Sequence, residues 1–221
     1  MDPKLLLEKY SEEFEKLCQK YLEYNSHTNI SAIRMREEIF DKHFADSLEV
    51  ASFLKGGRVL DLGSGGGFPI LPLALVFKDV NRKFHFTALD SIAKKTKFIE
   101  LMKEEFSLSN LEIITDRSEN LARDENYRET YDFVLARAVA NLSTLIEYAI
   151  PFLKVGGTLI AFKSDDLEGE EGSYENALEA LSSEIIDRHK YASKQLIFIK
   201  KLANTDLKYP RKTGKPLKSP L

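Results

Sequence analysis

One stretch of the sequence, residues 58–72, constrains the fold of this chain more than any other. It reads R-V-L-D-L-G-S-G-G-G-F-P-I-L-P. Residues 58–62 form a short apolar run that carries Asp61, which is typical of a buried strand. Glycines follow, and the apolar residues from Phe68 onward have the spacing of a helix that begins there. A strand, a glycine-rich turn and a helix in this order are typical of the first unit of a nucleotide-binding α/β fold.

The spacing of the glycines indicates which nucleotide the turn binds. Gly63, Gly65 and Gly67 stand at alternate positions, and we name residues 63–67 the glycine loop. Glycine tolerates positive φ and has no Cβ, so the backbone can turn sharply and lie flat against a ligand. The dinucleotide fingerprint G-x-G-x-x-G would need a glycine where this chain has Phe68. The observed spacing resembles instead the first motif of S-adenosylmethionine-dependent methyltransferases. A glycine-rich turn without a ligand is the alternative.

The composition bounds the class of protein. The chain has 221 residues, 43% of them hydrophobic, which can bury the core of one large domain or of one domain with a helical extension. Cys18 is the only cysteine, so a disulfide framework is excluded and a reducing cytoplasm is expected. The N-terminus lacks the pattern of a signal peptide, and no apolar run approaches the ~18 residues of a membrane span. We therefore expect a cytoplasmic protein with no membrane partner.

The charge is spread unevenly along the chain. The net charge is −3, but residues 188–221 carry ten Lys or Arg and one acid, Asp206. This segment therefore has a charge of +9, and the rest of the chain has a charge of −12. An acidic body with a basic C-terminal segment indicates a polyanionic partner, whereas a solvated basic tail is the alternative.

Periodicity divides the chain into three predicted parts: an N-terminal helical cap over residues 1–55, a methyltransferase domain over residues 56–201 and a basic C-terminal tail over residues 202–221. Helical patterns over residues 3–24 and 38–54 form the cap. In the domain, β-rich runs alternate with helical patterns, which implies a parallel sheet with helices on both faces, the Rossmann-like doubly wound α/β class. The predicted strands are 58–62, 84–89, 111–115, 131–136 and 158–162, the predicted helices are 92–106, 142–153 and 174–181, and an antiparallel pair at 184–191 and 195–200 completes a seven-stranded sheet.

Acidic residues follow two of the predicted strands, and ligands of open α/β sheets bind beyond such carboxyl ends. Asp90 ends the second strand, where an acid can accept hydrogen bonds from both ribose hydroxyls. Its alternative role, as a cap of the helix after Ser91, can coexist with the first. The segment D-R-S-E after the third strand ends in Glu119, where an acidic or backbone group could meet the amino edge of an adenine. A simple stabiliser of the first helical turn is the alternative for Glu119.

Basic residues follow the next two strands. Arg137 comes after the fourth strand and could hold the cofactor's carboxylate or a substrate acceptor through its fixed fork of donors. Lys163 ends the fifth strand in a similar position, where a solvated lysine is the alternative. The four histidines are scattered without the spacing of metal ligands, so we expect no metal.

Several longer segments make a resemblance to one family specific. Besides the glycine loop they read N-S-H-T-N-I-S-A-I, K-H-F-A-D-S-L, L-D-S, R-S-E, R-A-V-A and the terminal Y-P-R-K-T-G-K-P. By these segments the chain resembles, over most of its length, the bacterial glucose-inhibited division protein B family, the 16S ribosomal RNA guanine-N7 methyltransferases. It departs from the family pattern at Gly66, where alanine is usual, and at Ile70 and Ser164, where glycine is usual.

The resemblance implies an activity, a partner and a set of site residues. The implied activity is methylation of N7 of one guanine in 16S ribosomal RNA, with S-adenosylmethionine as cofactor. The implied partner is this RNA or the small ribosomal subunit, and we expect a monomer. The glycine loop adds Gly65 and Gly67 to the cofactor positions of the family, which fall on Gly63, Phe68, Asp90, Ser91, Ser118, Glu119 and Arg137.

The residues are compatible with this chemistry. Guanine N7 has a free lone pair, so its attack on a sulfonium methyl group needs no general base and the protein contributes positioning. Arg137 and Lys163 are the predicted catalytic residues, since either could grip the N7 and O6 edge of guanine, or O6 alone, as the ring becomes cationic. Two alternatives remain. One is a methyltransferase for another acceptor, against which the basic segment argues. The other is an assembly factor that binds cofactor and RNA without transfer.

The basic C-terminal tail is predicted to bind ribosomal RNA. Its prolines are expected to keep it extended. An extended basic strand can either track a phosphate backbone or pack along the domain. Arg211, Lys212 and Lys215 are the predicted phosphate contacts, together with the hairpin at 188–201. In the alternative, Tyr209 and the proline after it anchor the chain end while the charges stay in solvent.

Overall fold

The computed structural model describes residues 1–78, 84–167, 170 and 173–221. Within these residues the strands are β1 Gly57–Leu62, β2 Phe84–Asp90, β3 Leu111–Thr115, β4 Tyr131–Arg137, β5 Leu153–Ser164, β6 Ser183–Tyr191 and β7 Lys194–Lys201. The α-helices are α1 Pro3–Lys9, α2 Ser11–Thr28, α3 Arg36–Ile39, α4 Asp46–Leu48, α5 Ile70–Val76, α6 Ala93–Glu105, α7 Ser118–Leu121, α8 Leu142–Ala149, α9 Glu175–Ala180 and α10 Lys215–Lys218. None of these helices is long and apolar enough to cross a membrane.

The strands form a seven-stranded sheet in the order β3-β2-β1-β4-β5-β7-β6. The pairs β2–β3, β1–β4 and β4–β5 are parallel, whereas β7 is antiparallel to both β5 and β6. The predicted fold class, an α/β sheet completed by an antiparallel pair, is confirmed. The fifth strand is longer than predicted, because the register between β4 and β5 shifts between Tyr131 and Phe133 and the two glycines at 156–157 lie inside the strand.

The described chain divides into two compact units. The first comprises Met1–Gly56 and Ser64–Thr115, and the second comprises Gly57–Gly63 and Asp116–Leu221. The first residue of the glycine loop therefore belongs to the second unit and the others belong to the first. The division into a cap, a domain and a tail at residues 55 and 201 stays a prediction.

In the first unit, two helices form where the periodicity predicts one over residues 3–24. Asp2 caps α1 by accepting the amide of Lys4 at 2.8 Å, and a proline suits the first helical turn. The backbone leaves helical geometry at Tyr10, where φ is −112°. The buried Tyr10 donates its hydroxyl to the carbonyl of Val76 at 3.1 Å. The break accompanies a tertiary contact that helical spacing cannot indicate.

The second helical pattern of the first unit, predicted over residues 38–54, is helical but changes pitch. A π-helical turn at Phe40–Ala45 separates α3 from α4, and a 3-10 turn follows at Glu49–Ser52. π-Helical turns inside helices are frequent at functional sites. This one carries His43 and Phe44, which both contact the ring of Phe68.

In the second unit, the tail packs against the chain instead of extending from it. Arg128 donates to the carbonyls of Thr205 and Tyr209, each at 2.9 Å. The expectation that the prolines keep the whole tail extended is wrong, because residues 215–218 form α10. Pro216 lies in the first turn of this helix, where the missing amide hydrogen removes no helical bond.

Candidate functional site

The glycine loop has the backbone geometry that its sequence indicates. φ is +71° at Gly63, +55° at Gly65 and +88° at Gly67, in the left-handed region that other residues rarely adopt. The carbonyl of Ser64 accepts the amide of Gly67 at 2.8 Å, which closes a tight turn. Because the turn also uses the amide of Phe68, α5 begins two residues later than predicted.

Packing accounts for part of the glycine requirement. A Cβ on Gly67 would clash with the side chain of Leu71, and a Cβ on Gly63 would lie 2.9 Å from a methyl group of Val139. A Cβ at position 66 would lie 3.2 Å from the ring of Tyr21. The cofactor contacts of these glycines stay predictions. The glycines also have a packing role, which their spacing in the sequence did not indicate.

Asp90 holds the loop from the end of β2. Its carboxylate is 7% exposed and accepts the amide of Gly65 through Oδ2 at 2.8 Å and the amide of Ile92 through Oδ1 at 2.9 Å. The Lys95 ammonium lies 4.0 Å from Oδ2. Since a carboxylate oxygen has two lone pairs, each can accept a further bond from a ribose hydroxyl. Asp90 is thus bonded to the start of the next helix, while its ribose role and that of the exposed Ser91 stay predictions.

The buried hydroxyl of Ser64 fits a loop that binds a ligand. Its side chain is 1% exposed, and Oγ has no hydrogen-bond partner among the residues that the structure describes. An unsatisfied buried polar group costs about 1–3 kcal/mol, so such groups are usually paired. A polar ligand group at the turn would supply the partner.

The ring of Phe68 packs among aromatic side chains of the first unit. It is 5% exposed, and it stacks on the imidazole of His43 with centroids 4.3 Å apart and planes at 7°. Tyr21 meets it edge-on at 5.2 Å. Its predicted cofactor contact stays a prediction. No sequence pattern indicated that His43, in the segment K-H-F-A-D-S-L, is a neighbour of the loop.

In the second unit, Glu119 is bonded to the tail. This carboxylate is 4% exposed, and it accepts the amide of Gly214 through Oε1 at 2.8 Å and the hydroxyl of Ser118 through Oε2 at 3.2 Å. Burial, followed by the charges of Glu119 and Glu147 and a hydrogen bond to Glu119, raises the pKa of Tyr148 to about 12. The adenine roles of Ser118 and Glu119 stay predictions, and the contact with Gly214 was not foreseen.

Arg137 lies half-buried at the end of β4, where a sharply turned loop begins. The next residue, Ala138, has φ +56°, which is uncommon for a residue with a Cβ. The side chain of Val139 occupies the space that a Cβ on Gly63 would need. The predicted contacts of Arg137 with the cofactor carboxylate or with guanine stay predictions.

Lys163 is bonded within the second unit. Its side chain is 11% exposed, and Nζ donates to the carbonyl of Ala140 at 2.9 Å and lies 3.1 and 2.9 Å from the carboxylate oxygens of Glu170. Glu170 also accepts the amide of Leu142, the first residue of α8, at 2.7 Å. Lys163 therefore braces the loop after β4, and its catalytic role stays a prediction that requires release of Glu170.

The predicted RNA-binding residues of the tail differ in their surroundings. Lys212 and Lys215 are exposed, whereas the side chain of Arg211 is 18% exposed and is paired with Glu147, which is fully buried. Nε and Nη2 of Arg211 donate to this carboxylate at 2.9 and 2.6 Å, and these bonds raise the pKa of the guanidinium. The phosphate contact of Arg211 stays a prediction that competes with this ion pair.

The sheet order and the glycine loop after β1 define the fold of the S-adenosylmethionine-dependent methyltransferases. A solved methyltransferase of this class from Aquifex aeolicus superposes with a TM-score of 0.56 at 17% identity, covering 72% of this chain and 90% of that chain. A ribosomal protein L11 methylase from Lactobacillus delbrueckii subsp. bulgaricus gives a TM-score of 0.55 at 16% identity, covering 73% and 79%. At such identities the likeness shows the fold.

Closer relatives identify the family. The family model described as rRNA small subunit methyltransferase G matches residues 10–197. A ribosomal RNA small subunit methyltransferase G from Fusobacterium nucleatum is 42% identical over 96% of this chain and 94% of its own length, and one from Lactococcus lactis is 38% identical over 98% and 93%. The chain belongs to the rRNA small subunit methyltransferase G family, which confirms the resemblance found in the sequence.

Proposed function

We propose that this protein transfers the methyl group of S-adenosylmethionine to N7 of a guanine in the 16S ribosomal RNA of the small subunit. The observation that carries the proposal is family membership over nearly the whole chain, with relatives up to 42% identical among those compared. The glycine loop bonded to the acid at the end of β2 supports the cofactor.

The first unit supplies groups that suit the nucleoside part of the cofactor. Asp90 would accept the ribose hydroxyls while its other lone pairs keep the amides of Gly65 and Ile92. Ser64 would donate or accept one bond through its buried hydroxyl. The bound cofactor supplies an electrophilic sulfonium methyl group. These residues hold and orient it.

In the second unit, Glu119 would accept the adenine amino group, and Arg137 would bind a carboxylate or the acceptor base. An arginine can donate to O6 of guanine and leave the lone pair of N7 free for the attack, so Arg137 is our candidate for orienting the base. The lone pair of N7 attacks without prior deprotonation, so no residue is needed as a general base. Orientation alone can lower the barrier by several kcal/mol.

The tail supports RNA as the acceptor. Two of its exposed lysines are Lys212 and Lys215, which belong to the basic segment 188–221, whereas the rest of the chain has a charge of −12. Such lysines contribute phosphate contacts that are independent of base sequence. We further propose that the protein acts in the cytoplasm as a monomer, without a metal ion.

Methyl transfer from labelled S-adenosylmethionine to 16S RNA that lacks the modification tests this function. We expect label in the RNA and 7-methylguanosine in its nucleoside digest, with naked RNA and the assembled small subunit compared as acceptors. Label found only in a protein or a small molecule would show that RNA is not the acceptor. Binding of both RNA and cofactor without any transfer would identify an assembly factor instead.

A further inference from the structure

We infer that the C-terminal tail is part of the cofactor-binding machinery, because its docking presents the amide of Gly214 to Glu119 and so positions this carboxylate for the cofactor. The inference rests on the proposed function, in which Glu119 meets the adenine amino group. Within it, Glu147 and Arg211 are positioning residues that act through Glu119.

A buried ion pair anchors the tail just before Gly214. Glu147 is fully buried on α8, and its Oε1 accepts both the backbone amide of Arg211 at 2.7 Å and its Nε at 2.9 Å. Nη2 of Arg211 donates to the other carboxylate oxygen at 2.6 Å and to the carbonyl of Ser219 at 2.8 Å. Charge-assisted bonds of this kind are short and directional, so they fix the position of the backbone at this point.

Further contacts hold the tail after Gly214. The hydroxyl of Thr144 donates to the carbonyl of Pro216 at 3.1 Å, and the hydroxyl of Ser143 donates to the carbonyl of Leu221 at 2.9 Å. Gly214 itself has φ +77°, and a Cβ there would meet no atom within 4 Å. The glycine is therefore explained by backbone conformation rather than by crowding, and this conformation is the one in which its amide donates to Glu119.

These anchors determine the geometry of Glu119. Its Oε1 accepts the amide of Gly214 from the tail, and its Oε2 accepts the hydroxyl of Ser118. A carboxylate held by donors of its own unit is ordered before a ligand arrives, which lowers the entropic cost of binding. Loss of the Gly214 amide would leave a buried acceptor under-satisfied and free to rotate. Cofactor binding and tail docking are then thermodynamically coupled, and each stabilises the other by the same factor.

Calorimetric titration of S-adenosylmethionine into folded variants tests the coupling. The double variant Glu147→Leu with Arg211→Met removes the anchor without leaving a buried charge, so it is expected to fold, and it should weaken binding about tenfold. Lys218→Ala, an exposed change in the same tail, is the control and should bind like wild type.

Hydrogen exchange of the tail amides in the wild-type protein, measured with and without cofactor, distinguishes the two roles of the tail. If the tail were only structural, the cofactor would not change this exchange. Saturating S-adenosylmethionine should slow exchange of the amides at 211–219 about tenfold, by reciprocity. Wild-type cofactor affinity in the double variant, or exchange of the tail amides that is unchanged by the cofactor, overturns the inference while the proposed function stands. Failure of wild type to bind the cofactor would instead overturn the proposed function.

Discussion

The glycine loop and the C-terminal tail contain the same kind of hydrogen bond, but different interactions hold it in place. In each, a glycine amide donates to a buried carboxylate at 2.8 Å: Gly65 to Asp90, and Gly214 to Glu119. The loop keeps its shape through positive φ and close packing, where a side chain would not fit. The tail keeps its shape through an ion pair with Glu147, which lies 64 residues earlier in the chain than Arg211. The loop therefore depends on missing side chains, and the tail depends on two particular charges.

The largest effect is expected in the loop. Gly65→Val places a β-branched residue at φ +55°, where we propose that the backbone approaches the ligand, so binding of S-adenosylmethionine should be lost. Calorimetric titration measures it. Gly156→Val is the matched control, since Gly156 has φ +84° with no atom within 4 Å of an added Cβ. It should lose stability and still bind. A Gly65→Val variant that binds like wild type would remove the loop from the cofactor site.

The next effect is expected in the stability of the tail. Arg211→Ala leaves the buried carboxylate of Glu147 without its partner and should lower the free energy of unfolding by about 3–5 kcal/mol. Lys212→Ala, at the neighbouring exposed position, should change it by less than about 0.5 kcal/mol. Urea unfolding compares the two. Equal effects would mean that the ion pair does not hold the tail.

Arg137→Ala distinguishes two roles at the end of β4. If the guanidinium grips the cofactor carboxylate, cofactor binding should weaken by about 1.5–3 kcal/mol, the range of a lost charge-assisted hydrogen bond. If it orients guanine, cofactor affinity should be unchanged and turnover should fall. Arg137→Lys keeps the charge without the fork and should recover only part of either loss. A variant with normal affinity and normal turnover would exclude both roles.

The smallest effect concerns the charge of the tail. Each phosphate contact adds about 0.7 to the salt slope of binding to single-stranded RNA, so Lys212→Ala with Lys215→Ala should flatten the slope by about 1.4. Adding Arg211→Ala to the double variant tests whether Arg211 contacts phosphate or pairs only with Glu147. A further change of about 0.7 would support a phosphate contact, whereas an unchanged slope would assign Arg211 to Glu147 alone. An unaltered slope in the double variant would move RNA recognition away from the tail.

Local patterns predicted the sheet and the loop, because a strand, a turn and a helix each depend on neighbouring residues. Asp90 could be placed beside the loop since both follow strands of one parallel sheet. The contact between Gly214 and Glu119 joins residues 95 positions apart, and neither has a pattern that indicates the other. Arg211 was predicted to contact phosphate without any indication of its buried partner on α8, Glu147, for the same reason.

Packing also explains the remaining differences from the predicted site. The family resemblance implies a cofactor contact for Phe68, which stays a prediction. Its ring is also stacked on His43 from a π-helical turn that helical spacing does not reveal. Lys163 was placed by its strand end, while the loop that brings Glu170 to it has no strand or helix pattern. The strand ends were thus predictable, and the partners of their side chains were not.

The position of the transferred methyl group tests the central claim most directly. Methylation at N7 gives guanine a positive charge and weakens its bond to the ribose. The 16S RNA can therefore be cleaved chemically at the modified nucleotide, and primer extension then locates the cleavage site. The account predicts one new cleavage site in RNA incubated with the wild-type protein and S-adenosylmethionine, and none with the Gly65→Val variant. Methylated RNA without any new cleavage site would place the methyl group on another atom and contradict the account.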